Sequence, residues 1–123
     1  MTKSWGERVD LPSFVLRVQP EEVAAYRDAL GAPGARVPFG LALRALMAGP
    51  LASAIQDMAR GRHVVHLAQD YMATRALCPG VDYVCDVHLQ SFGDERLRIE
   101  QSLTDPSGCI CLKLMSEIAL VGA

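Results

Sequence analysis

The stretch VPFGLALRALMAGPLASAI, Val37 to Ile55, decides the fold because it is the most apolar part of the chain. Its length is close to the ~20 residues of a membrane-spanning helix, but Arg44 lies inside it and Gly49-Pro50 interrupts it. A charge at the centre of a span costs roughly 2.5–3.5 kcal/mol. The stretch therefore predicts a buried core helix from Phe39 or Gly40 to about Ala59, kinked near Gly49 and covered on all sides.

The segments on either side of this helix predict one more helix and several strands. Ser13 to Gln19 alternates apolar and polar residues, as a short strand does. Pro20 and two following acids open a helix that ends at Gly31. The rest predicts strands at His63–Tyr71, Val81–Phe92, Arg96–Thr104 and Cys109–Val121.

This order of elements favours an α+β fold, with an antiparallel sheet of roughly five strands wrapped around the long apolar helix. Half of the 123 residues are apolar, which is enough for one domain with a core of its own. We expect residues 1–12 to be a flexible lead-in and residues 13–123 to form a single domain.

Charge and composition exclude several classes of function. A formal charge of −2 argues against a nucleic-acid partner and against a polybasic membrane-surface protein. The first ten residues are polar and lack the apolar region of a secretory signal, so we expect a cytoplasmic protein. The four cysteines are then expected to be reduced. Cys109 and Cys111 form a lone C-x-C, which is a weak metal signal, so we expect neither metal nor cofactor.

Four motifs resemble the hot-dog fold, and within it the MaoC-like (R)-specific hydratase/dehydratase group. They are V-H-x-x-Q-x-Y over residues 65–71, L-x-P-G over 77–80, VPFGLAL over 37–43 and DPSG over 105–108. The family has an aspartate directly after L-x-P-G, whereas this chain has Val81 there and an aspartate one place later.

The resemblance implies binding of acyl-CoA or acyl-carrier-protein thioesters between two protomers or halves. The thioester carbonyl would meet backbone N–H groups at the start of the central helix, which here belong to Phe39, Gly40 and Leu41. A helix N-terminus offers free donors and a positive dipole end, so the site is physically reasonable. Gly40 either leaves room for the ligand or lets the helix pack closely against a neighbour.

The family's catalytic Asp-x-Asn-Pro-x-His signature is absent from the preceding loop, Gly31 to Pro38. Arg36 is the loop's titratable residue and cannot act as a base. The catalytic residues are therefore unknown, with Asp70 and Asp57 as the remaining candidates. For both, a solvated surface carboxylate is the better explanation, and Asp57 lies about 25 Å along the helix from its start.

Three hypotheses stay open. The chain is a non-catalytic subunit or half of a MaoC-like hydratase/dehydratase, a homo-oligomeric thioesterase with a non-standard carboxylate, or a ligand-binding homodimer without catalysis. All three require association, because a small sheet leaves open edges. We expect the pocket mouth at loop 31–38 and turn 76–80, with Arg36 or Arg75 contacting CoA or carrier phosphates.

Overall fold

The computed structural model describes residues 5–31, 34, 36–38, 40–42, 50–93 and 95–122. Within these ranges two short strands are followed by a helical region and then by a long run of strands. Residues 40–42 are also helical. The elements are β1 (Trp5–Asp10), β2 (Phe14–Leu16), α1 (Pro20–Leu30), α2 (Pro50–Ala59), β3 (His63–Ala73), β4 (Tyr83–Phe92), β5 (Arg96–Thr104) and β6 (Ile110–Val121).

All the strands belong to one antiparallel sheet in the order β1-β4-β5-β6-β3, with β2 also paired to β4. Strands β4, β5 and β6 follow one another as hairpins. The second hairpin turns at Asp105, whose Oδ1 accepts hydrogen bonds from the backbone N–H of Ser107 at 2.9 Å and of Cys109 at 3.0 Å. This aspartate-centred turn is the one that the DPSG motif predicts. Strand β3 ends up at a sheet edge.

Helix α1 begins and ends where its sequence signals lie. Pro20 occupies the first turn, where its missing N–H is not needed. The backbone N–H of Gln19 donates to Oε1 of Glu22 at 3.3 Å. Gly31 ends the helix in the left-handed conformation, with φ of 67°. Val23 is the buried residue of α1 and packs with Leu41, so α1 covers the start of the central helical region.

The two faces of the sheet differ, and β6 shows the alternation. Leu114 and Ser116 are buried on the face toward α2, here called the inner face, whereas Lys113 and Met115 are exposed on the opposite, outer face. Helix α2 packs its buried residues Leu51, Ile55 and Ala59 against the inner face. The sheet residues of that core are Leu16, Tyr83, Cys85, Val87, Leu89, Leu97, Ile99, Leu103, Cys111, Leu112, Leu114, Ile118 and Leu120.

The buried central helix is confirmed over its described parts, since Leu41, Leu51 and Ile55 are 2%, 0% and 8% exposed. Residues 43–49 lie outside the described residues, and with them Arg44 and the kink expected near Gly49. The strand predictions are confirmed within a few residues, and the β5 range is the predicted one.

The N-terminal segment differs from the flexible lead-in expected over residues 1–12. Trp5–Asp10 forms β1, an edge strand paired to β4, with Asp10 opposite His88 and Arg8 opposite Gln90. The sequence of β1 shows little apolar alternation, because Asp10 and Arg8, which lie opposite polar residues of β4, are charged. Its partner strand lies about 80 residues further along the chain, so local sequence patterns do not reveal the pairing.

Candidate functional site

The structure brings the two expected mouth segments together beside the start of the central helical region. The backbone N–H of Val37 donates to the carbonyl of Leu77 at 3.0 Å, and that of Gly80 donates to Val18 at 2.8 Å. The hydroxyl of Tyr83 accepts from the N–H of Cys78 at 2.8 Å. Loop 36–38 and turn 76–80 are thus tied to each other and to the sheet.

Gly40 is exposed at the start of the helical residues 40–42. A Cβ atom at this position would collide with the hydroxyl of Tyr26 in α1. Gly40 has two interpretations from the sequence, room for the ligand and close packing of the helix. The contact with Tyr26 supports close packing. The N–H of Ala42 donates to the carbonyl of Pro38 at 3.1 Å. This bond places Gly40 and Leu41 in a first helical turn, where backbone N–H groups lack an acceptor within the helix. Phe39 lies outside the described residues.

Tyr26 is a site residue that sequence reasoning missed. Its position in α1 indicates a core residue, and the structure half-buries it beside Val18, Val23 and Leu41. Its hydroxyl nevertheless lies at the helix start, next to Gly40. The sequence indicates this role only in that the residue on the packed side of α1 is a tyrosine, whose hydroxyl an aliphatic core residue would lack.

The two arginines expected at the mouth are both exposed and both anchored. The carbonyl of Arg36 accepts from Nε and Nη2 of Arg27 at 3.2 and 2.7 Å, so its backbone is fixed while its side chain extends into solvent. Nη1 of Arg75 lies 3.5 Å from Oδ2 of Asp105. Its N–H donates to the carbonyl of Cys111, which holds it against the end of β6.

The carboxylate of Asp105 also accepts several hydrogen bonds at this end of the sheet. The Ser107 hydroxyl, 2.6 Å from Oδ1, and the neighbouring N–H groups hold the pKa of the Asp105 carboxyl below its usual value. Burial raises the pKa of the Cys111 thiol, and it raises the pKa of Cys85 to about 12. All four cysteines are free thiols. Raised pKa values make Cys85 and Cys111 poor nucleophiles.

The two candidate carboxylates do not come together. Asp70 pairs with Met115 and therefore lies on the outer face, where it lines a cavity of about 530 Å³ with residues such as His88, Glu100 and Lys113. Asp57 is exposed on α2, away from the residues that the helix buries. Neither carboxylate faces the inner side of the sheet near Gly40.

Strand β3 is an open edge of 11 residues, and ten of them are exposed. It pairs with β6 on one side only. Five large apolar side chains on it are at least 41% exposed, namely Val64, Val65, Leu67, Tyr71 and Met72. A long, apolar, unpaired edge is a template for pairing with another chain.

Over the described ranges, no group of three or more His, Cys, Asp or Glu side chains is placed to hold a metal ion. None of the helices in the described part of the chain combines the length and hydropathy needed to cross a bilayer.

No family model matches this sequence, and no curated protein does. Solved structures do match. A hot-dog-like protein from Thermanaerovibrio acidaminovorans superposes with a TM-score of 0.67 at 16% identity, over 98% of this chain and 83% of the other. The chain has the hot-dog fold. The fold expected from the motifs is thereby confirmed.

Two other solved structures that match belong to proteins with a stated activity or a bound ligand. The (R)-hydratase from A. caviae, involved in PHA biosynthesis, matches with a TM-score of 0.60 at 14% identity, over 96% of this chain and 97% of that one. The protein smu.793 from Streptococcus mutans, solved bound to acetyl CoA, matches with a TM-score of 0.63 at 12% identity, over 99% and 90%. At these identities the likeness extends to the hot-dog fold alone.

Proposed function

We infer that this chain binds acyl thioesters of CoA or acyl carrier protein, as a non-catalytic subunit or half of a MaoC-like enoyl-thioester hydratase/dehydratase. The observation that carries this is the start of the central helical region, where Gly40 is exposed and the two mouth segments meet through Val37 and Leu77. Free N–H groups at a helix N-terminus suit a polarised carbonyl oxygen.

The contacts proposed for the thioester carbonyl are the backbone N–H groups of Phe39, Gly40 and Leu41. Arg36 and Arg75 are proposed to contact the phosphates of the carrier. The Arg75 side chain is 60% exposed, so it reaches solvent despite its ion pair with Asp105. The acetyl CoA bound to the smu.793 protein supports this class of ligand.

Lack of catalysis is supported by the residues near the helix start. Residues 31–38 contain no aspartate, asparagine or histidine. Asp70 lies on the outer face and Asp57 is exposed on α2, away from Gly40. A hydratase needs one group to deprotonate water and another to protonate carbon. The thioesterase alternative requires one of these carboxylates to reach a neighbouring protomer's site.

Association through the β3 edge is the second part of this proposal. An antiparallel copy of β3, or the matching strand of a catalytic partner, would cover the exposed apolar residues of β3, which are Val64, Val65, Leu67, Tyr71 and Met72. Either pairing would extend the sheet and place the mouth at the interface. We place the complex in the cytoplasm, where free thiols such as Cys78 persist.

Binding is tested with the purified chain and a series of saturated acyl-CoA esters. At a hundred times the dissociation constant, a ligand should stabilise the fold by about 2.7 kcal/mol. Hydrogen exchange should slow in residues 36–42 and 75–80, and no free CoA should be released. Binding without protection there would move the site elsewhere. Release of CoA that stops on Asp57→Ala or Asp70→Ala would favour the thioesterase.

The subunit role is tested by co-expression with a MaoC-like protein that carries the Asp/His signature. We expect the pair to co-purify and the hydratase activity of the partner to rise. If the two neither co-purify nor change activity, the chain is a ligand-binding homodimer instead.

A further inference from the structure

The inner face of the sheet carries three polar side chains with buried atoms, Ser116, Gln69 and Gln101, among apolar residues, and the first two form a pair. Ser116 on β6 is 1% exposed, and its Oγ has no hydrogen-bond partner among the described residues. Nε2 of Gln69 on β3 is likewise buried and lacks a partner within the described ranges. The two residues are directly opposite each other in the β3–β6 ladder.

A β-bulge is what aims Gln69 inward. His66 pairs with Ile118, whereas Ala68 pairs with Glu117, so Leu67 is the extra residue between them. Without this insertion, strict alternation would place Gln69 on the outer face. Bulges re-aim side chains in this way and are often found beside functional sites. The bulge thus brings an amide next to the Ser116 hydroxyl.

Burying a hydroxyl and an amide N–H without partners lowers stability, and an aliphatic pair would fill the same space at no such cost. Such a pair is therefore expected to receive its hydrogen bonds from something that enters the site. The ligand atom must accept from the amide and can accept from or donate to the hydroxyl. An alcohol or carbonyl oxygen meets both requirements.

The distance of the pair from the mouth indicates which part of a ligand it would meet. Ala73 pairs with Leu112 at the mouth end of β3, and Thr74 donates its N–H to Cys111 at 2.9 Å. Ser116 lies four positions further along β6, which is ~13 Å at the usual strand rise. A thioester at the helix start would place the distal part of a medium-length acyl chain there, not its carbon 3.

We propose that Ser116 and Gln69 form a specificity site for acyl thioesters that carry an oxygen substituent near the distal end of the chain. The site lies on the inner face, and it reaches the open edge of the sheet at Gln69, where a second protomer would close it. This inference rests on the proposed binding of acyl thioesters.

The test measures dissociation constants of the full-length chain by calorimetry for decanoyl-CoA and for its 3-, 8- and 10-hydroxy derivatives. The 8-hydroxy or the 10-hydroxy ester should bind at least roughly tenfold more tightly than decanoyl-CoA, because buried polar groups reject a ligand that leaves them unpaired. The 3-hydroxy ester should gain nothing.

Ser116→Ala and Gln69→Met should each abolish this preference, so that decanoyl-CoA and its hydroxy derivatives bind with equal affinity. Neither variant should lower the melting temperature of the free protein, since each removes an unpaired buried group. Ser102→Ala is the matched control, because Ser102 lies opposite Lys113 on the outer face, and it should keep the preference.

Two results would overturn the specificity site while leaving thioester binding in place. One is equal affinity of the wild type for decanoyl-CoA and all its hydroxy derivatives. The other is a loss of affinity in Ser116→Ala that is the same for every ester, as expected for a structural role. Failure of all the esters to bind would overturn the proposed function itself, and the specificity site with it.

Discussion

The hydroxyl of Tyr26 in α1 occupies the space that a Cβ atom on Gly40 would need. Gly40→Ala should therefore destabilise the protein by about 1–3 kcal/mol, as overpacking does, although alanine is the better helix former by roughly 0.5–1 kcal/mol. Urea unfolding measures the change in the free energy of unfolding.

The matched background for this substitution is Tyr26→Phe. With the hydroxyl removed, the nearest remaining Tyr26 atom is the ring carbon Cζ at 3.5 Å from the added Cβ, an ordinary contact. Gly40→Ala should then be neutral or stabilising. An equal loss of stability in both backgrounds would mean that the hydroxyl is not the cause.

The open edge of β3 predicts the association state. The wild type should sediment at no less than twice the chain mass of 13.3 kDa. Val65→Lys with Leu67→Lys should give the monomer, because charged edge residues block strand pairing. Val15→Lys is the control, since Val15 is 61% exposed on β2, and it should leave the mass unchanged. A wild-type monomer would contradict this interface.

The thiols should differ in reactivity according to burial. Cys85 has its pKa raised to about 12 by burial, and the pKa of Cys111 is raised for the same reason, whereas Cys78 is exposed. Iodoacetamide at neutral pH should label Cys78 rapidly and Cys85 last. Peptide mass spectrometry measures the order, and Cys78→Ser should remove the fast phase. Fast labelling of Cys85 would show that this part of the core opens readily.

Asp105 predicts a pH-dependent contribution to stability. Its carboxyl has a pKa below the ordinary value of 3.8, mainly because of the Ser107 hydroxyl. The stabilisation is therefore present above that value and is lost as the pH falls through the lower pKa of the folded state. Asp105→Asn should lower the melting temperature at neutral pH.

The melting-temperature difference between wild type and Asp105→Asn should shrink as the pH is lowered past 3.8. Asp57→Asn is the control, because Asp57 is exposed on α2, and it should change little at any pH. A difference that stays constant with pH would assign the effect to turn geometry and not to the charge.

Features with local causes could be predicted from the sequence. The ends of α1 follow from Pro20 and Gly31, and the β5–β6 turn follows from Asp105. The two mouth segments were predicted from a family resemblance, and the structure joins them through Val37 and Leu77.

Features that depend on long-range pairing could not be predicted. Strand β1 has charged residues opposite polar residues of β4 and little apolar alternation of its own. The faces of Gln69 and Asp70 depend on the bulge at Leu67, which exchanges inner and outer positions beyond it. Tyr26 approaches Gly40 from a different helix. Contacts between residues that are distant in the chain produce no periodic pattern in the sequence.

The pairing of β3 with β6 has a consequence for synthesis on the ribosome. About 36 residues, 74–109, separate the end of β3 from the start of β6. At ~5–20 residues per second, β3 therefore waits roughly 2–7 seconds after its own translation for its neighbour. During that interval its apolar side chains are unprotected on both flanks. Slow translation between codons 74 and 110 should therefore favour aggregation of the nascent chain, and a chaperone that shields this segment should raise the yield of folded protein.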